Sequence, residues 1–135
     1  HTYNQIQENG AMKLFRSHNP DYKNGEQLRD FIYVKDVVDV IMFLAHTRKQ
    51  SGLYNLGSGE CRTFKSLAEN TFTSLEKEPD ISFIDTPIDI RDNYQYFTEA
   101  NMEKLKSVGY DKPFHTLEEG VKDYVQNYLS THKYY

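Results

Sequence analysis

Residues 28–37 read Leu28-Arg29-Asp30-Phe31-Ile32-Tyr33-Val34-Lys35-Asp36-Val37. This run decides the fold. Its first seven residues are rich in aromatic and β-branched types, which predicts a strand over Leu28–Val34. A helix is then expected from Asp36 to Lys49, with apolar residues at 37, 40, 41, 44 and 45 on one face. Asp36 in its first turn and Arg48-Lys49 in its last complement the helix dipole.

Upstream, Thr2–Glu8 reads as a helix closed by Asn9-Gly10, and Met12–Phe15 as a short strand. Residues 18–27 contain Pro, Gly and Asn and predict a surface loop, with a hairpin tip as one form it takes. Downstream, Leu53–Leu56 is a strand-like run closed by Gly57-Ser58-Gly59. Thr63 is a candidate N-cap for a helix carrying Leu67, Ala68, Phe72 and Leu75, which Pro79-Asp80 ends. Ile81–Ile84 predicts another strand, and a polar loop follows to Gln95. Thr98 is expected to cap a short helix to about Lys106, stopped by Gly109. Thr116-Leu117-Glu118-Glu119 has the capping-box pattern that opens a last helix to about Leu129. Strands alternate with helices, so the chain is α/β or α+β. The strands are too few and too short for the roughly six of a full doubly wound sheet.

The 135 residues suffice for one domain, or one lobe of a larger protein. A net charge of −4, from 16 basic and 20 acidic residues, argues against nucleic acid as a partner. Cys61 is the single cysteine, so no internal disulfide forms; a cytoplasmic location and a buried or idle thiol are expected. No apolar run approaches the ~18 residues of a membrane span, and no signal peptide is visible. His1 has no preceding Met, and the chain opens inside a helix. Either the chain is a piece of a longer protein, or its first residues are a remnant added at the start.

Catalytic motifs are missing. Gly57-Ser58-Gly59 is the one close glycine pair, and position 62, where a dinucleotide fingerprint needs its third glycine, is Arg. No tyrosine has a lysine four residues later, and there is no Ser/His/Asp or Cys/His metal spacing. Residues suited to an anionic ligand remain. The planar fork of Arg29 can grip two phosphate oxygens, or else form a surface pair with Asp30. Arg91 and Tyr94 lie in a loop too polar for a core, where they suit a diphosphate or a sugar, or simply solvent. Phe15-Arg16-Ser17-His18 combines a flat ring, a cation and two polar groups, a set that suits a nucleobase and ribose.

The order of these pieces resembles the extended short-chain dehydrogenases/reductases. Arg29–Val37 resembles their strand-to-helix stretch, Gly52–Gly59 their next strand and turn, and Gly109–Phe114 with Thr116–Val121 their last two helices and the link between them. The resemblance covers nearly the whole chain. Within that family, Tyr94-Gln95-Tyr96-Phe97-Thr98 and Gly109-Tyr110-Asp111-Lys112-Pro113-Phe114 look most like the ADP-L-glycero-D-manno-heptose 6-epimerases.

The resemblance implies a C-terminal substrate-binding lobe over 1–135, lacking most of the Rossmann sheet. It implies a nucleotide-sugar epimerase of lipopolysaccharide heptose synthesis. NADP takes a hydride from C6 of the heptose and returns it to the opposite face. The Tyr/Lys pair and the NADP site fall upstream, so no catalytic or cofactor-binding residue is expected on this chain, and the chain alone is expected to be inactive. The family's substrate contacts fall on Phe15, Arg16, Ser17, His18, Arg29 and Tyr94, with Arg91 a further phosphate contact and His1 matching a histidine after the catalytic lysine. ADP-heptose is the implied partner, and a homo-oligomer the implied state of the whole enzyme. The loop from His18 to Gln27 is longer than the family's usual form. The competing readings are a UDP-hexose 4-epimerase or nucleotide-sugar dehydratase of the same superfamily, and a non-catalytic binding or oligomerisation module.

Overall fold

The computed structural model describes residues 1–47 and 51–133. Helix α1 (Thr2–Asn9) ends at Gly10, whose φ of 71° lets its N–H reach back to the Ile6 carbonyl. Strand β1 (Met12–Phe15) follows. It pairs in parallel with β4 (Ile81–Ile84), Met12 opposite Ile81 and Leu14 opposite Phe83. A parallel pair needs a long crossover, and residues between the two strands supply it. The loop after β1 is therefore not a hairpin tip.

Strand β2 (Leu28–Asp30) pairs antiparallel with β3 (Cys61–Thr63). It is shorter than expected. Helix α2 (Val34–Thr47) begins two residues before Asp36, because the Tyr33 carbonyl already accepts from Asp36 and Val37. The expected cations Arg48 and Lys49 lie outside the described residues. Leu53–Leu56 has no ladder partner among the described residues, so no strand forms there, although Tyr54 and Leu56 still pack inward.

Helix α3 (Phe64–Ser74) starts at Thr63, whose hydroxyl accepts from the Ser66 N–H at 2.9 Å, as a capping residue should. It stops short of Lys77, with Glu76 at φ 57°. Helix α4 (Ile88–Arg91) is a single turn in the loop read as polar. Helix α5 (Glu103–Ser107) is not capped by Thr98, whose N–H goes to the Leu28 carbonyl. Its N-cap is Met102, which gives no side-chain cap bond; one residue earlier, the Asn101 side chain accepts from the Glu103 N–H at 2.9 Å. Helix α6 (Leu117–Tyr124) opens on the expected capping box between Thr116 and Glu119 and runs on as a π-helical turn, Val125–Leu129.

Two apolar clusters hold these parts. Ile6, Met12, Leu14, Ala68 and Phe72 bury together where α1 and α3 cover the β1–β4 pair. Val40, Met102, Leu105 and Tyr110 bury where α2 meets α5. The chain is α/β, a short parallel pair with helices. Helix α2 keeps a second apolar stripe, Val34, Val38, Ile41 and Met42, that is half or more exposed. No helix among the described residues is long and apolar enough to cross a membrane.

Candidate substrate cleft

Adjacent residues of a strand face opposite ways. Arg29 and Asp30 obey this, and they do not form the surface pair the sequence allowed. The Asp30 carboxylate accepts from the Ser58 N–H and hydroxyl, both at 2.6 Å, from the Ala100 N–H at 2.9 Å and from the Gly59 N–H at 3.1 Å. Burial opposes its ionisation. The hydrogen bonds from the Ser58 hydroxyl and the backbone of Ala100, Ser58 and Gly59 outweigh that and hold the carboxyl below its usual range. A Cβ added at Gly57 would lie 2.2 Å from Asp30 Oδ2 and 2.7 Å from the Ala100 Cβ. The glycine pair is thus folded round a partly buried carboxylate. It does not fit the pyrophosphate of a dinucleotide.

Arg29 faces the other way, into a cleft of about 840 Å³. Its walls include His1, Phe15, Gln27, Phe64 and Tyr94. The guanidinium carbon lies 5.5 Å from the Phe64 ring centre and 5.7 Å from that of Tyr94. Nη1 donates to the Leu28 carbonyl at 2.8 Å, and Nη2 donates to the Gln95 carbonyl. Among the described residues no carboxylate pairs with it. The two carbonyls fix the guanidinium without neutralising it, and rings on two sides limit its movement. Phe15 meets Tyr94 edge to face, with centroids 6.2 Å apart. Burial raises the pKa of the Tyr94 hydroxyl, more than the nearby Arg29 charge lowers it.

Four of the eight sequence-predicted residues therefore converge: His1, Phe15, Arg29 and Tyr94. The other four have partners elsewhere. Arg16 pairs with Asp85 at 3.0 Å, both side chains half exposed or more. The Ser17 N–H goes to Asn24 and its hydroxyl to the Asn19 carbonyl. The His18 N–H goes to the Tyr96 hydroxyl, and its ring nitrogen Nε2 accepts from the Thr86 N–H at 3.3 Å. Arg91 Nη2 donates to the Thr86 carbonyl at 2.9 Å. The Arg16 and His18 bonds fasten the long 16–27 loop to the segment after β4, whereas those of Ser17 stay within the loop and that of Arg91 within the segment.

Sequence reading missed Gln27 and Phe64. One signal was available for Gln27: it stands two residues before Arg29, so an extended chain puts both on one face. Phe64 had none, since its partner Arg29 lies 35 positions away.

A second cleft, about 500 Å³, lies between the start of α2 and α6 and holds none of the predicted residues. Its lining is mostly apolar, and its cation, Lys35, is paired with Asp123 at 2.7 Å. There the Lys35 ammonium and the Tyr33 hydroxyl draw the Asp123 carboxyl down to about 2.

In comparison with known proteins, the α/β fold matches part of the extended short-chain dehydrogenase/reductase fold. The NAD dependent epimerase/dehydratase family matches residues 1–57. The ADP-L-glycero-D-manno-heptose-6-epimerase of Fusobacterium nucleatum is 51% identical over 96% of this chain. The chain spans 41% of that relative's length. Among solved structures, the ADP-L-glycero-D-manno-heptose-6-epimerase of Helicobacter pylori superposes with a TM-score of 0.73 at 27% identity, covering 93% of this chain and 35% of that one. The UDP-N-acetylglucosamine 4-epimerase of Methanobrevibacter ruminantium, solved with UDP-N-acetylmuramic acid, superposes with a TM-score of 0.76 at 22% identity, covering 96% and 38%. At that identity it speaks for the fold alone.

Proposed function

Because this chain belongs to the NAD dependent epimerase/dehydratase family, we propose that it is the nucleotide-sugar-binding lobe of an ADP-L-glycero-D-manno-heptose 6-epimerase. One observation carries the reading: the Arg29 guanidinium, oriented by two carbonyls and flanked by two rings, faces a cleft with no carboxylate on it among the described residues. Such a cation suits a diphosphate. Phe15 and Tyr94 offer faces for a base or sugar, and His1 stands at the same cleft. This chain's residues bind and orient the substrate. The transient oxidation at C6, with NADP and a Tyr/Lys pair, belongs to the rest of the protein in this reading. So do the whole enzyme's cytoplasmic location and homo-oligomeric state.

The exposed stripe on α2 supports the division of labour. A helix that is apolar on two sides is normally covered on both. In this proposal Val34, Val38, Ile41 and Met42 pack against the missing cofactor domain.

The test is calorimetric titration of the full-length enzyme with ADP-heptose and with a UDP-hexose, beside turnover assays of the full-length and isolated chains. Tight ADP-heptose binding, with turnover in the full-length form alone, is expected. Preference for the UDP-sugar would replace this reading with a UDP-hexose enzyme of the same superfamily. Binding of neither would leave a non-catalytic module.

A further inference from the structure

Gln27 is 1% exposed, yet it lines the cleft that Arg29 faces. Its position is tightly set. Gly25, at φ +78°, turns the chain in front of it, where an added Cβ would come within 3.0 Å of the Phe83 ring. The Gln27 carbonyl accepts from the Phe64 N–H at 3.2 Å, and the Gly25 carbonyl accepts from Lys65 at 2.9 Å. The side-chain Nε2 donates to the Phe15 carbonyl at 3.2 Å. That bond fixes which end of the amide is which, since only the NH₂ can serve a carbonyl. Oε1 is then the free end, and among the described residues it has no hydrogen-bond partner. A buried polar atom left unpaired is costly, so one in a ligand cleft points to a donor that arrives with the ligand.

The chemistry of that donor is restricted. Gln27 is bonded to the backbone of Phe15, whose ring meets Tyr94, and these are the faces suited to a base. Arg29, two residues along the extended chain, stands roughly 7 Å away. That spacing matches the reach from a phosphate to a hydroxyl of the attached ribose. We infer that Gln27 Oε1 accepts a hydrogen bond from a ribose hydroxyl of the nucleoside diphosphate held by Arg29, and so helps the cleft distinguish ribo- from deoxyribonucleotides. This inference rests on the nucleotide-sugar reading of the cleft.

The full-length protein is titrated with ADP, 2′-deoxy-ADP and 3′-deoxy-ADP, in the parent form and as Gln27→Met and Gln27→Asn. The parent should bind ADP about fivefold to tenfold more tightly than one of the deoxy analogues, the scale of one good hydrogen bond. Both variants should lose that preference, because Met has no comparable acceptor and Asn is one methylene short. A variant that folds poorly leaves the other, and the parent's own analogue series, to decide. Equal affinity of the parent for all three nucleotides overturns the inference while leaving the cleft's function standing. So does a preference that survives in both variants. Failure of the parent to bind ADP at all overturns the reading of the cleft, and this inference with it.

Discussion

The two faces of strand β2 differ in one respect: whether their charge has been used. Asp30 and Arg29 are neighbours, each with several hydrogen bonds. Asp30 receives four donors from three residues distant in sequence, all from its own chain. Arg29 gives two N–H groups to neutral carbonyls and keeps its full charge at a cleft. A carboxylate ringed by donors is a structural tie. A cation that is held but not neutralised is available to a ligand. Fixing a charge and satisfying it are separate acts, and the contrast is what makes Arg29, and not Asp30, the candidate for a ligand contact.

The largest expected effect breaks the structural side. Asp30→Ala strands three backbone N–H groups and a hydroxyl, and should cost about 3 kcal/mol or more of stability in the full-length protein. Denaturant unfolding measures this. A loss below roughly 1 kcal/mol would mean that the 57–59 turn holds its shape unaided.

The same carboxylate should be visible in acid. The folded-state pKa of Asp30 is depressed below the ordinary 3.8. Its contribution is therefore fully present above pH 3.8 and is lost as the pH falls through the lower folded value. Asp123, drawn to about 2, adds a loss of the same sign in the same window. Unfolding followed by circular dichroism between neutral pH and pH 2 should show the decline, and Asp30→Asn should remove part of it. A flat profile would contradict the tie.

Arg29→Lys tests the other face. Losing the planar fork removes a charge-assisted contact worth about 1.5–3 kcal/mol, so nucleotide-sugar affinity should fall roughly tenfold to a hundredfold. Stability should move by less than about 1 kcal/mol. Unchanged affinity by calorimetry would return Arg29 to the role of a packing residue. The smallest effect is expected at Arg16, paired with Asp85 in solvent. Arg16→Ala should change stability by less than about 0.5 kcal/mol and affinity by less than about twofold. A large loss of affinity there would show that the ligand extends beyond the cleft.

Sequence alone determined what local chemistry dictates. The glycine stop after α1, the Thr63 cap and the Thr116–Glu119 capping box depend on residues within a turn of one another, so their patterns were legible. The strands Met12–Phe15 and Ile81–Ile84 were legible for the same reason. The runs Arg29–Val37, Gly52–Gly59 and Gly109–Val121, taken in order, carried the family resemblance, and their chemistry had already made Arg29 and Tyr94 candidates. Tertiary structure decided the pairings across long separations. It matched β1 with β4 in parallel, left Leu53–Leu56 outside any strand ladder among the described residues, and wrapped Gly57-Ser58-Gly59 round Asp30. It drew Arg16, Ser17, His18 and Arg91 into bonds away from the cleft, and it brought Phe64 and Gln27 into it. A cap is specified by the residues that make it. The use of a charge is specified by whatever the rest of the chain brings within 3 Å of it, and for Arg29 and Asp30 those partners lie up to 70 positions away.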